Sequence, residues 1–258
     1  MERVRVESAA GIAFITLHRP EKSHAFDAEM IAGLEAAVLA VEAAPETRVA
    51  ILTGSGAVFS AGGDLDYFAA QASSDPMTPP VTAMRGLLDR IADSQRVWIA
   101  AVNGPAVGGG LELALACHLR IAAESATFSM RHRNLGLAPG WGGGERLFDA
   151  VGVSAGLWLL LTASTLSAPE ALQIGLVHRV LAQAAFLNVA QALAREIADS
   201  PRGSIVGYLR LAAAYRAGGE RAVRRAAERQ LFIERWRSPE FQGVLAQRRA
   251  RSGSDIDP

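Results

Sequence analysis

One carboxylate, Glu112, stands in a segment otherwise made of glycine, aliphatic residues and a cysteine, Gly108-Gly-Gly-Leu-Glu-Leu-Ala-Leu-Ala-Cys117. An ionised carboxylate removed from water is costly unless it is paired and hydrogen-bonded. Glu112 therefore has either a structural partner (its own helix cap, or a core arginine) or a chemical use. Two glycine-rich turns bear on the choice, Phe59-Ser-Ala-Gly-Gly-Asp-Leu65 and Asn103-Gly-Pro-Ala-Val-Gly-Gly-Gly-Leu-Glu-Leu113. Each follows an apolar run and opens a helical pattern. Glycine lets backbone approach a ligand closely with its N–H groups free. Two such groups converging from separate loops make an oxyanion hole, and a helix N-terminus adds positive potential at the same place. That arrangement stabilises charge on a carbonyl oxygen, such as a thioester enolate. Glu112, in the first turn of the second helix, is placed to give or take a proton beside it.

Other chemistries lack their residues. The glycine run before Leu111-Glu112 has no Lys-Ser/Thr, so it is not a P-loop, and neither turn carries a full dinucleotide fingerprint. There is no His-Glu-x-x-His, and Ser60 is not in a Gly-x-Ser-x-Gly elbow. The single cysteine, Cys117, precludes an intrachain disulfide and a cysteine-based zinc site, so no metal is expected. A formal net charge of zero gives no reason to expect nucleic acid or an anionic membrane as partner. No apolar run is long enough to span a bilayer and the N-terminus lacks a signal-peptide core, so a soluble, cytoplasmic protein is expected.

The elements that must position these groups are legible in outline. Residues 4–17 read as two strands joined at Ala10-Gly11. Met30, Leu34, Ala37, Val38 and Val41 have helical spacing, and Val49–Leu52 reads as a buried strand. Asp64 is a candidate N-cap for the next helix, and the run 73–80 is rich in Ser and Pro and reads as a mobile loop. A second helix, a strand at 96–102, the helix carrying Glu112 and further strands continue an α/β alternation. Beyond about residue 185 only helical patterns remain, punctuated by Pro201, Gly218-Gly219 and Pro239. The expected division is an α/β core over 1–195 and a helical region over 196–258.

The stretches RPEKSHAF, FSAGGDL, AVNGPAVGGGLELALACHLRIAAESATFSM, NLGLAPGWGGGERL and LSAPEALQIGLVHRV, in that order along nearly the whole chain, resemble the enoyl-CoA hydratase/isomerase (crotonase) family. The resemblance implies a spiral core of ββα units, a C-terminal helical trimerisation region, and a trimer or a hexamer built from two trimers. It implies acyl-CoA thioester substrates and no cofactor beyond the coenzyme A that enters with the substrate. By position it makes Ala61 and Gly109 the oxyanion donors and Glu112 a catalytic acid/base. It places Ala61, Gly63 and Leu65 around the CoA adenine, and Lys22 near the CoA phosphates or simply in solvent. Tyr67, Phe68, Met84, Leu88, Trp141 and Phe232 are candidates to line the acyl pocket, although all are also ordinary core residues.

The sequence departs from that pattern where hydratases carry a second glutamate, for here His132 stands between Arg131 and Arg133. Read as an extended strand, the segment puts His132 on one face with Phe128 and Met130. Imidazole is a competent acid/base near neutral pH, so Glu112 and His132 can divide the tasks of hydration. Hydratase-type chemistry is the first expectation. Decarboxylation of a malonyl-type thioester is the alternative, because HRNLGLAPGWGG is similar to the ethylmalonyl-CoA decarboxylase branch; isomerisation is a third. His24 also replaces an asparagine usual in relatives. Some relatives bind RNA, and the arginine-rich tail invites that reading, but Glu220, Glu228, Glu234 and Glu240 interleave with the arginines.

Overall fold

The computed structural model describes residues 2–71 and 79–253. Strands β1 (Val4–Ala9) and β2 (Ile12–Leu17) form an antiparallel hairpin, with Ala10 and Gly11 both at positive φ, as a tight turn matched to strand twist requires. A 3-10 turn, Pro20–Lys22, leads to α1 (Ala28–Ala43), capped by Asp27, whose carboxylate accepts the Met30 N–H at 2.9 Å. Its five spaced apolar residues are all buried. β3 (Val49–Gly54) is buried along its whole length. α2 (Leu65–Gln71) starts at Asp64, whose Oδ1 accepts the N–H groups of Asp66 (3.1 Å) and Tyr67 (3.4 Å).

Most of the Ser/Pro-rich run lies outside the described residues, but its last two prolines open α3 (Pro79–Ala92) instead of belonging to a loop. Proline suits the first turn of a helix, where its missing N–H would have no partner. β4 (Val97–Val102), β5 (Ala106–Val107), α4 (Gly109–Ala116) and β6 (Leu119–Ala123) follow.

The strand expected through residue 137 is only β7 (Thr127–Ser129); a 3-10 segment, Arg131–Leu135, replaces the rest. The partner strand pairs with just those three residues, and Gly136 at φ 69° turns the chain back, its N–H donating to Arg133 O. His132 thus sits on a 3-10 turn, and the shared strand face with Phe128 and Met130 does not exist.

The chain continues as α5 (Gly143–Thr162, broken at Gly152), β8 (Thr165–Ser167), α6 (Ala168–Gln173), β9 (Arg179–Leu181) and α7 (Phe186–Ala198). Then come α8 (Arg202–Arg216), α9 (Arg221–Trp236) and α10 (Pro239–Gly253).

The strands make a six-stranded sheet in the order β1-β2-β3-β4-β6-β9, parallel from β2 onward, and a three-stranded sheet β5-β7-β8. Parallel neighbours need helical crossovers that cover the sheet, and the central strands β3 and β4 are accordingly buried along their whole length. Trp98, Phe59, Phe128, Met84 and Leu88 are fully buried in this core, each worth roughly 1.5–3 kcal/mol of burial.

The chain divides into two compact units, Met1–Glu196 and Ile197–Pro258. All the strands belong to the first. In the second, Arg210 and Arg235 both pair with Glu234, at 3.1 and 3.2 Å, and Arg235 also pairs with Glu240. No helix among the described residues is long and apolar enough to cross a membrane.

The turn before α1 is held by His24, which is buried although its φ is 57°. Its Nδ1 accepts the Arg19 N–H (2.9 Å), so Nε2 carries the hydrogen and donates to Ser55 O (2.8 Å). Burial pushes the His24 ring below its ordinary pKa, partly opposed by the bond to Ser55. Below about pH 6.5 the unfolded ring takes up a proton that the folded ring refuses, so stability from neutral His24 is complete above that pH and falls with acidification. Urea denaturation between pH 7 and pH 5 should show this loss. His24→Asn, which keeps an acceptor for the Arg19 N–H and does not titrate, should reduce it, the remainder belonging to His178, whose ring is also held below its ordinary pKa by burial.

Candidate active site

Two loops at the C-terminal ends of β3 and β4 are tied together by one buried side chain. Asn103 accepts the Gly54 N–H (3.0 Å) and the Thr53 hydroxyl (3.1 Å) and donates to the carbonyls of Gly56 (2.9 Å) and Val58 (3.1 Å). All its hydrogen-bonding capacity is used, which fixes the loops as one unit. On the other side of the first loop, Arg19 pairs with Asp64 (2.7 Å) and Asp27 (3.0 Å), and that guanidinium holds the Asp64 carboxyl below its ordinary range.

Within the first loop nearly every amide is occupied. Ala61 N–H donates to Ser23 O (2.9 Å), Gly62 N–H to the Ser60 hydroxyl (3.1 Å), and Asp64 N–H to Phe26 O (3.0 Å). Among the described residues Gly63 N–H has no partner, and Gly63 lines a cavity. In the second loop Gly108 N–H donates to Ser129 O (2.8 Å), while Gly109, at the N-terminus of α4, has no partner for its N–H among the described residues and lines the same cavity. The loops meet at Gly62, φ 90°, where an added Cβ would lie 2.7 Å from Gly109 N. Ala61, expected as an oxyanion donor, lines the cavity, but its amide is taken by Ser23 O in the turn before α1; among the described residues the unpartnered amide of this loop is that of Gly63. Sequence could not distinguish two residues two positions apart, because the distinction lies in which carbonyl each amide reaches.

Glu112 is buried at 1% exposure. Its Oε2 accepts two backbone amides, Trp141 N–H and Gly143 N–H, each at 2.8 Å, and its Oε1 lies 3.0 Å from His132 Nε2. These bonds offset the removal of the carboxylate from water. With Oε2 occupied twice, Oε1 is the oxygen left for proton transfer. An ionised Glu112 accepts the Nε2–H of His132, leaving Nδ1 as a lone pair, and that atom is buried with no partner among the described residues. The two-residue backbone clasp from the loop before α5 carried no side-chain signal in the sequence.

The cavity is about 480 Å³ and brings together Ala61, Gly63, Leu65, Gly109, Glu112 and His132. Phe68 and Trp141 also line it; Tyr67, Met84 and Leu88 do not. Met84 and Leu88 are one helical turn apart on the fully buried face of α3, and Tyr67 packs edge-on against Phe68 at 5.5 Å. Phe232 belongs to the second unit, where it is exposed and packs, tilted, against Trp236 at 5.6 Å. Lys22 lies outside the lining and is half-exposed, its Nζ 3.1 Å from Asp66. Arg131, unforeseen as a site residue, reaches the cavity and donates to the Thr165 hydroxyl at 3.2 Å. No group of three metal-ligating side chains occurs among the described residues.

Comparison with known proteins agrees with this geometry. The profile of the family described as enoyl-CoA hydratase/isomerase matches residues 7–247. A probable enoyl-CoA hydratase of Mycobacterium leprae is 34% identical over 203 residues, 79% of this chain and 78% of that protein. An (E)-benzylidenesuccinyl-CoA hydratase of Thauera aromatica is 36% identical over 76% of this chain and 77% of its own. Among solved structures, an enoyl-CoA hydratase from Polaromonas superposes with a TM-score of 0.89 at 28% identity, covering 96% of this chain and 97% of the other. The fold, the paired glycine loops and the buried glutamate thus have one source: the chain belongs to the enoyl-CoA hydratase/isomerase family.

Proposed function

We propose that the protein is an acyl-CoA enzyme of the enoyl-CoA hydratase type, acting through a thioester enolate. The observation that carries the reading is that Gly63 and Gly109, whose amides have no partner among the described residues, line one cavity together with Glu112 and His132. The amides hold the thioester oxygen, with the N-terminus of α4 adding to the potential there. In hydration, water adds to the β-carbon while the α-carbon gains a proton. Glu112 Oε1 takes the proton from water as its oxygen bonds to the β-carbon, and His132 gives its Nε2 proton to the α-carbon. The reading needs no cofactor beyond coenzyme A. Ala61, Gly63 and Leu65 offer the surface for the adenine, and Lys22 would exchange Asp66 for a CoA phosphate. The C-terminal helices would join subunits in a trimer or hexamer.

A second reading rests on one distance. Glu112 and His132 are already in direct contact at 3.0 Å, with no room for a water between them. That is one proton-transfer point, sufficient to protonate the enolate left when a malonyl-type thioester loses carbon dioxide. Incubation with enoyl-CoA and malonyl-type CoA thioesters in heavy water, read by mass, separates the readings. Gain of the elements of water by an enoyl thioester supports the hydratase. Loss of carbon dioxide with one deuteron gained moves the protein to decarboxylation. Deuterium exchange alone indicates isomerase chemistry, and no change in any thioester overturns the proposal.

A further inference from the structure

Trp141 occupies an unusual place in the cavity. Its backbone N–H holds Glu112 Oε2, and its indole lies flat against the backbone of Gly109. The approach is so close that a Cβ on Gly109 would fall 2.2 Å from the indole Cζ3. One residue thus borders both the amide expected to bind the thioester oxygen and the carboxylate expected to serve the α-carbon.

The ring is fixed. Phe26 meets it edge-on, with centroids 5.8 Å apart and planes at 81°, and Phe68 leans against it at 6.1 Å. Phe26 is fully buried and the indole is 5% exposed. Aromatic contacts of this kind lock the ring beyond what its burial provides. A side chain clamped on two sides in a close-packed interior does not swing aside without a cavity or strain penalty.

Within the described residues the cavity measures about 480 Å³, and the thioester arm of coenzyme A must share it with the acyl group.

We infer that the Trp141 indole is the wall that sets acyl size, and that it restricts the protein to short acyl chains. The inference rests on the reading of Gly63 and Gly109 as the carbonyl-binding amides. An acyl chain leaving a carbonyl held there runs directly past the indole, so each added methylene meets a rigid ring and not a flexible side chain. Pocket fit of this kind is worth about tenfold or more per methylene.

The test is binding, which needs no turnover. The affinities of butyryl-CoA, octanoyl-CoA and free CoA are measured by calorimetry for the wild type, Trp141→Phe and Trp141→Ala. Saturated thioesters cannot be hydrated, so the result does not depend on which reaction the enzyme performs. The wild type should bind butyryl-CoA at least tenfold more tightly than octanoyl-CoA. Trp141→Ala should shift the ratio toward octanoyl-CoA by tenfold or more, with Trp141→Phe between. Should the alanine variant fail to fold, the phenylalanine variant, which keeps an aromatic ring for Phe26 and Phe68, decides alone. Equal wild-type affinities, or a ratio unmoved in the folded variants, overturn the inference and leave the acyl-CoA reading intact. Failure of the wild type to bind any of the three ligands removes both.

Discussion

Glu112→Gln should lower kcat/KM on the active thioester by about a thousandfold while leaving the fold in place, within the range for loss of a positioned acid/base. The asymmetry of the site makes this a clean substitution. Oε2 only accepts hydrogen bonds, from Trp141 N–H and Gly143 N–H. The carbonyl oxygen of a glutamine can take its place without movement. The amide nitrogen then faces His132 Nε2, 3.0 Å away in the native protein, and the imidazole need only change tautomer to accept from it. What is lost is the basic oxygen. Steady-state kinetics beside thermal denaturation checks both halves: kcat/KM should collapse with the unfolding temperature changed by only a few degrees. Activity within tenfold of the wild type would show that Glu112 is a structural carboxylate and that the proton moves elsewhere.

Gly143→Ala should damage the site from the other side, lowering both stability and turnover. An added Cβ would lie 2.2 Å from Glu112 Cγ and 2.7 Å from Oε2, so either the loop before α5 or the carboxylate must move. Overpacking of this kind costs about 1–3 kcal/mol. The displaced carboxylate also changes its distance to the reacting carbon, and a misplacement of about 1 Å costs on the order of a hundredfold in rate. Gly86→Ala supplies the control, since a Cβ at that position on α3 meets nothing within 4 Å. It should leave activity alone and raise stability by up to about 1 kcal/mol through helix propensity. Chemical denaturation and kcat measured on both variants separate steric damage at the carboxylate from any general intolerance of glycine replacement. Wild-type kinetics in Gly143→Ala would mean that the clasp on Oε2 is not needed to aim Oε1.

His24 and His132 show how much more than residue type decides a role. Both are histidines standing where relatives of the family usually carry another residue. His24 is neutral, buried and hydrogen-bonded at both nitrogens, to Arg19 N–H within its own turn and to Ser55 O just after β3. It holds the segment whose Ser23 carbonyl takes the Ala61 amide, and its own carbonyl accepts the Ser60 hydroxyl at 3.0 Å. It shapes the first loop without touching the cavity. His132 has one nitrogen on Glu112 and the other without a partner among the described residues, and it lines the cavity.

By itself the sequence determined the α/β alternation, the helical C-terminal stretch and the isolation of Glu112. These follow from local rules: apolar spacing, turn residues, and the penalty for an unpartnered carboxylate among apolar neighbours. The hairpin at Ala10-Gly11, the cap at Asp64 and the buried face of α1 are local for the same reason. Only the tertiary structure decided which amides are free, and with them the exchange of Ala61 for Gly63, because a backbone N–H leaves no trace in residue identity. It also decided that His132 reaches Glu112 from a 3-10 turn and not from a strand, that Met84 and Leu88 belong to the core, and that Trp141 stands on Gly109. Those outcomes depend on contacts between segments about 20 to 40 residues apart, as from His132 to Glu112 and from Ala61 to Ser23. Periodicity and motif spacing describe a segment's own faces; which other segment packs against each face is settled when the chain closes on itself.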